Sequence, residues 1–168
     1  MKIDVFAHIL PPRYLRERNQ RADARFATQY ARYASANRGL TDLDLRWRIL
    51  DKYPDVRQIL TIAGPNIESV TTPAVAVECA RIANDELATL VDAHPDRFIG
   101  EYHADPTDIM RAVRGLQEHV EKYGFKVLRI EPFMWRKPPT DRVYYPLYAK
   151  CVGLDVAFQA QVGHTGPL

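Results

Sequence analysis

Short apolar runs rich in β-formers punctuate the chain, separated by longer stretches of helical periodicity. Lys2 to Phe6, Val56 to Ile62, Arg97 to His103, Lys126 to Ile130 and Leu154 to Val162 are the runs, and each predicts a strand. Between the third and fourth, Ile109, Val113, Leu116, Val120 and Tyr123 recur three and four apart, the spacing of one helix face. Asp105-Pro106 introduces that helix and Gly124 closes it. A second helix is predicted from Thr72-Pro73 to the turn at His94-Pro95, burying Cys79, Ile82, Ala83, Leu87, Leu90 and Val91 and turning Asn84, Asp85 and Glu86 outward. Thr41 to Tyr53 predicts a third, capped by Thr41, with Asp42 and Asp44 in its first turn and Pro54 as its stop. Tyr145 to Val152, closed by Gly153, predicts a fourth.

Strands alternating with helices imply parallel β-α-β units, because parallel neighbours need a crossover that covers the sheet. The class is therefore α/β. A doubly wound nucleotide-binding sheet would carry a Gly-rich turn after its first strand, and Ala7-His8-Ile9-Leu10-Pro11-Pro12 stands there instead. An eight-stranded (β/α)8 barrel needs about 250 residues. Five strands in 168 residues predict an incomplete barrel, one domain over 1–168, with a helical insertion after strand one. The last strand is followed by no covering helix, which predicts an open sheet edge for a partner or a second copy to cover.

Composition narrows the classes further. Hydrophobic residues make up 46% and charged residues 26%, the balance of a globular domain with a core. The formal net charge of +2 points to no nucleic-acid or acidic-membrane partner for the molecule as a whole. Cys79 and Cys151 are too few and too far apart for a disulfide framework, so a reducing, cytoplasmic setting is expected. Asp4, His8 and Pro11 interrupt the N-terminal apolar run, and no other stretch approaches the roughly 20 apolar residues of a membrane helix.

The charge is unevenly spread. Arg13, Arg16, Arg18, Arg21, Arg25, Arg32, Arg38, Arg46 and Arg48 crowd one stretch, where Phe26, Tyr30 and Tyr33 have the spacing of a helical stripe. Basic residues with aromatics could hold single-stranded nucleic acid. The helical spacing favours the other reading, a packed aromatic face with solvated arginines opposite.

Candidate chemistry collects at strand ends. His8 follows the first strand, where a barrel mouth takes its ligands. Arg129 and Glu131 alternate on one face of strand four, as a salt pair tying strands together or as a carboxylate grip in which Glu131 orients Arg129. Phe133 and Trp135 follow, as a pocket wall or as packing beneath a loop. Glu101, His103 and Asp105 share a face at the end of strand three, where Asp105 has the simpler use as a cap before Pro106. His94 falls in a turn and His119 on the solvent side of a helix. Gly-x-Ser-x-Gly is absent, and neither cysteine has a readable His partner.

Asp4-Val5-Phe6-Ala7-His8-Ile9-Leu10-Pro11-Pro12 resembles the opening of the amidohydrolase-related family, in its aminocarboxymuconate semialdehyde decarboxylase-like branch. The resemblance continues in collinear order through Asn84 to Ala88, Pro95 to Gly100, Tyr123 to Lys126 and Tyr144 to Tyr148, and ends in Gln161-Val162-Gly163-His164. It implies a metal-binding (β/α)8 barrel, commonly with zinc. The implied ligands are a His-x-His pair ending strand one, a His after strand five and an Asp after strand eight, with a catalytic His after strand six. His8 and His164 fill two of these positions, and Phe6 stands where the first His belongs. Two imidazoles do not complete a zinc site of about four ligands at about 2.0–2.3 Å. The implied activity is nonoxidative decarboxylation or hydrolysis of small carboxylates, often aromatic or ring-derived, with Arg129, Glu131 and Trp135 as candidate substrate contacts. Phe6 and the shortness of the chain leave an alternative, a truncated and catalytically inactive member serving as an interaction module.

Overall fold

A computed structural model describes residues 1–22, 28, 32, 34–64, 72–105, 107–132 and 135–162. Five strands, β1 (Lys2–Ile9), β2 (Val56–Ile62), β3 (Phe98–His103), β4 (Val127–Ile130) and β5 (Ala157–Ala160), form one sheet in chain order. Every neighbouring pair is parallel. The helices among the described residues include α1 (Pro12–Arg21), α2 (Leu43–Leu50), α3 (Pro73–Ala93), α4 (Ile109–Tyr123) and α5 (Tyr145–Leu154), with 3-10 turns at Arg38–Leu40 and Arg142–Tyr144. The result is a curled half-barrel with helices on its outer side and a helical insertion, α1 to α2, between β1 and β2.

Leu60, Ile62, Phe98, Leu128 and Ile130 point from the strands into the layer beneath the helices and are buried with Ile82, Leu87 and Leu116. β3 approaches its helix-side neighbours closely enough to require small residues: a Cβ on Gly100 would lie 2.2 Å from the Phe125 ring, and one on Gly115 of α4 would lie 2.1 Å from the Tyr102 hydroxyl. The opposite face of the same strands carries Thr61, Glu101, His103 and Arg129, all buried, so the inside of the curl is polar where the outside is apolar.

Several ends are made differently from expectation. Asp42, not Thr41, caps α2 by accepting from the Leu45 amide at 2.8 Å. Asp108, not Asp105, caps α4 through the Arg111 amide at 2.9 Å, while Asp105 accepts from the amide and hydroxyl of Thr107. Gly124 takes the left-handed C-terminal position at φ 69° as predicted, whereas α5 runs through Gly153 and ends on Asp155 at φ 52°. α1 has no capping side chain of its own; Glu86 of α3 accepts from the Arg13 and Tyr14 amides at 3.0 and 2.5 Å. Asn84, expected outside, is buried, donating to the His103 carbonyl and accepting from its amide at 3.0 and 2.9 Å. His119 is likewise inside, against Tyr102, Tyr123 and Phe125, with Nδ1 2.8 Å from the Gly115 carbonyl.

The basic stretch is not uniformly solvated either. Arg18 and Arg46 are buried, Arg21 pairs with Glu17 and Arg38 with Asp42. Arg25, Phe26, Tyr30 and Tyr33 lie outside the described residues, so the aromatic stripe does too. No helix among the described residues is long and apolar enough to cross a membrane.

Candidate functional site

β1 changes face partway along. Asp4 pairs with Gln58 but Ala7 pairs with Leu60, so β1 carries one residue more than its partner across this interval, a β-bulge. Asp4 Oδ1 accepts from the Phe6 amide at 3.2 Å, and Gln58 Nε2 donates to Asp4 Oδ2 at 3.1 Å. Arg46 of α2 donates to Gln58 Oε1 at 2.7 Å, and its Nη2 donates to the carbonyls of His8 and Gly39. Side-chain direction alternates along a strand, so the extra residue turns Phe6 and His8 to the inner face while Asp4 keeps company with Gln58 and Arg46.

Arg129 is the centre of that inner face. It is 2% exposed; its Nε donates to Glu131 Oε1 at 3.0 Å, and Nη2 lies 2.9 Å from the same oxygen as an ion pair. Nη2 donates to Gln161 Oε1, and Nη1 lies 3.8 Å from Glu101 Oε1. Nη1 has no hydrogen-bond partner among the described residues. The Phe6 ring lies over the guanidinium at 5.2 Å, and its edge meets the His8 ring at 4.4 Å between centroids. Thr61 holds the other oxygen of Glu101 at 2.9 Å.

Electrostatics follow from burial. Burial raises the Glu101 carboxyl to about 7 against the opposing pull of Arg129 and the Thr61 hydrogen bond. Burial, and after it the Arg129 cation, holds His8 below its ordinary value, leaving a neutral imidazole at neutral pH.

Of the residues singled out in the sequence, His8, Arg129 and Glu131 meet on one face, linked through Phe6. Trp135 does something else: half-buried, it stacks on Tyr144 at 5.3 Å and packs beneath its own loop. Phe133 and His164 lie outside the described residues. Arg46 and Gln58 were missed as site residues, since their partners Asp4, His8 and Gly39 come from other elements and no local spacing links them. A groove of about 640 Å³ opens elsewhere, on the helix side, between α5 and β5, lined by Tyr148, Cys151, Val156 and Phe158. It is mostly apolar, and Cys151 within it has its thiol pushed up to about 11 by burial, away from the reactive thiolate.

A family model described as Amidohydrolase matches residues 3–168. Gamma-resorcylate decarboxylase from Polaromonas sp. is 30% identical over 121 residues, 68% of this chain and 37% of that protein. A 2-keto-4-carboxy-3-hexenedioate hydratase from Sphingobium sp. is 31% identical over 109 residues, 58% of this chain and 32% of its own length. Among solved structures, 2,6-dihydroxybenzoate decarboxylase from Rhizobium is similar with a TM-score of 0.74 at 24% identity, over 99% of this chain and 51% of that one. The 5-carboxyvanillate decarboxylase of Novosphingobium aromaticivorans, solved with bound manganese, gives 0.71 at 25% identity, over 94% and 49%. This chain thus spans about half the length of those solved structures and 37% of the gamma-resorcylate decarboxylase.

The inner face of this chain does not fit a divalent ion at β1. Phe6 has no lone pair and puts its ring beside the His8 imidazole, where a second donor nitrogen would belong. Arg129 and Arg46 both lower the proton affinity of His8, and the same positive field opposes a metal cation. No group of three or more His, Cys, Asp or Glu among the described residues is arranged to hold an ion.

Proposed function

Because the chain belongs to the amidohydrolase family, we propose that its inner face binds a small aromatic carboxylate, in the manner of the decarboxylases it is similar to. The observation that carries this reading is Arg129: a guanidinium fixed by Glu131, Glu101 and Gln161 at the strand ends, with an aromatic ring, Phe6, already lying on it. A planar cation of this kind suits a carboxylate by charge-assisted contact and an aromatic ring by stacking. The reaction class proposed is nonoxidative decarboxylation, in which hydrogen replaces the carboxylate, with hydrolysis of a related carboxylate as the neighbouring possibility. Glu131 serves as the orienting partner of Arg129. Trp135 acts at most through the loop it supports. The ligand roles that resemblance gives His8 and His164 form no part of this reading.

Saturation-transfer NMR with 2,6-dihydroxybenzoate and with resorcinol, which lacks the carboxylate, tests it. We expect transfer to the acid and little to the phenol; equal transfer to both would remove the carboxylate anchor. Phe6 favours a second reading, a binder without turnover, because it stands where the resemblance implies a ligand and sets its ring against His8. Following carbon dioxide release from the bound acid separates the two.

A further inference from the structure

Resting on the reading that this face takes an aromatic carboxylate, we propose that the positive centre of the site is the Arg129 guanidinium, and that no metal ion serves it on β1. A metal in such a site would supply a fixed positive charge to a substrate oxygen. Here that charge is already built in and held rigidly. Two of the guanidinium nitrogens are committed to Glu131 and one of those also to Gln161, while buried Nη1 has no hydrogen-bond partner among the described residues. A buried, unsatisfied charged N–H group is costly unless something accepts from it. A carboxylate oxygen is the acceptor that suits it best.

Charge balance permits an anion to enter. Arg129 faces two carboxylates, and with both ionised the cluster would carry an excess negative charge that repels a third. Burial pushes Glu101 up to about 7, so below that pH its carboxyl is mainly uncharged and adds little repulsion against an entering anion. Phe6 is the covering element: the residue is 44% exposed while Arg129 beneath it is 2% exposed. An aromatic acid exchanges its own ring for Phe6 over the guanidinium and delivers its carboxylate to Nη1. His8, in a T-shaped contact with Phe6, lines the same opening, its backbone carbonyl held by Arg46.

The test uses the protein dialysed against EDTA, titrated calorimetrically with 2,6-dihydroxybenzoate in the presence of EDTA and again with Mn²⁺. The six-line electron paramagnetic resonance signal of added Mn²⁺ is followed in parallel. We expect the same Kd under both conditions, an undiminished Mn²⁺ signal, and affinity weakened by about tenfold or more in Arg129→Lys, which keeps the charge facing Glu101 and Glu131 but loses the fork. Circular dichroism checks that this variant is folded. Binding that appears only with Mn²⁺, together with loss of the free-ion signal, would overturn the inference and leave the carboxylate reading standing. Wild-type affinity in a folded Arg129→Lys would overturn it as well. Absence of binding under both conditions would overturn this inference and the carboxylate reading together.

Discussion

Glu101 is a carboxyl that the fold prefers to keep protonated. Its value of about 7, against an ordinary 4.5, means that the folded protein binds more protons than the unfolded chain between those limits. Its contribution to stability is therefore greatest below pH 4.5 and is lost as pH rises through 7. His8 acts with the opposite sign: its lowered value makes the folded state shed a proton, so its contribution appears as pH rises towards 6.5. Comparison with an isosteric variant isolates the first effect. The melting temperature of Glu101→Gln, relative to wild type, is expected to rise steadily between pH 4.5 and 7.5; a constant difference across that interval would mean that the carboxyl is ionised throughout. At this scale the sequence was informative about residue type and less so about partners. Arg129 on β4 and Glu131 just past its end are two positions apart, so their pairing could be read directly. Arg46 looked like one more surface arginine, because Gln58 and His8, which it holds, are 12 and 38 residues away. His119 looked solvent-facing because a polar residue on a helix usually is, yet three aromatic rings and a carbonyl enclose it.

Elements were legible where one local pattern decides them. Val56–Ile62 forms a strand over the predicted span, and Ile109–Tyr123 a helix ending on Gly124, because a short run of β-formers in one and three-four spacing in the other need no distant partner. Ends that depend on other elements were not legible. β1 continues past Phe6 to Ile9, with a bulge set by Gln58 of the next strand, and that bulge decides which side chains enter the site. β5 shortens to Ala157–Ala160 because α5 continues through Gly153 and takes its turn at Asp155. Close packing between elements gives the prediction at this scale. Gly100→Ala places a methyl 2.2 Å from the ring of Phe125, which is itself fully buried. A core that is already filled resists such an addition, so we expect a loss of about 1–3 kcal/mol in urea unfolding, partly recovered by Phe125→Leu. An unchanged midpoint would show that β3 and Phe125 can separate at no cost.

Across the whole molecule, the sheet curls far enough that its first and last strands communicate. Gln159 Nε2 on β5 donates to the Val5 carbonyl on β1 at 3.1 Å, although no strand among the described residues pairs with the outer side of either. Ile3, Val5 and Phe158 remain 45%, 57% and 40% exposed beside those edges, so the two ends of the sheet are its thinly covered parts and β3 and β4 its best covered. Hydrogen exchange should rank them accordingly: slowest in β3 and β4, faster in β1 and β5, and several-fold faster again in β5 alone for Gln159→Ala. Uniform protection across the five strands would contradict this ordering. The same bridge joins residues 154 positions apart, which bears on how the protein is made. At ribosomal rates of about 5–20 residues per second, Val5 leaves the polypeptide tunnel roughly 8–30 s before Gln159 does. For that interval the nascent β1, with Ile3, Val5 and Phe6 uncovered, is a client for whatever chaperone waits at the exit.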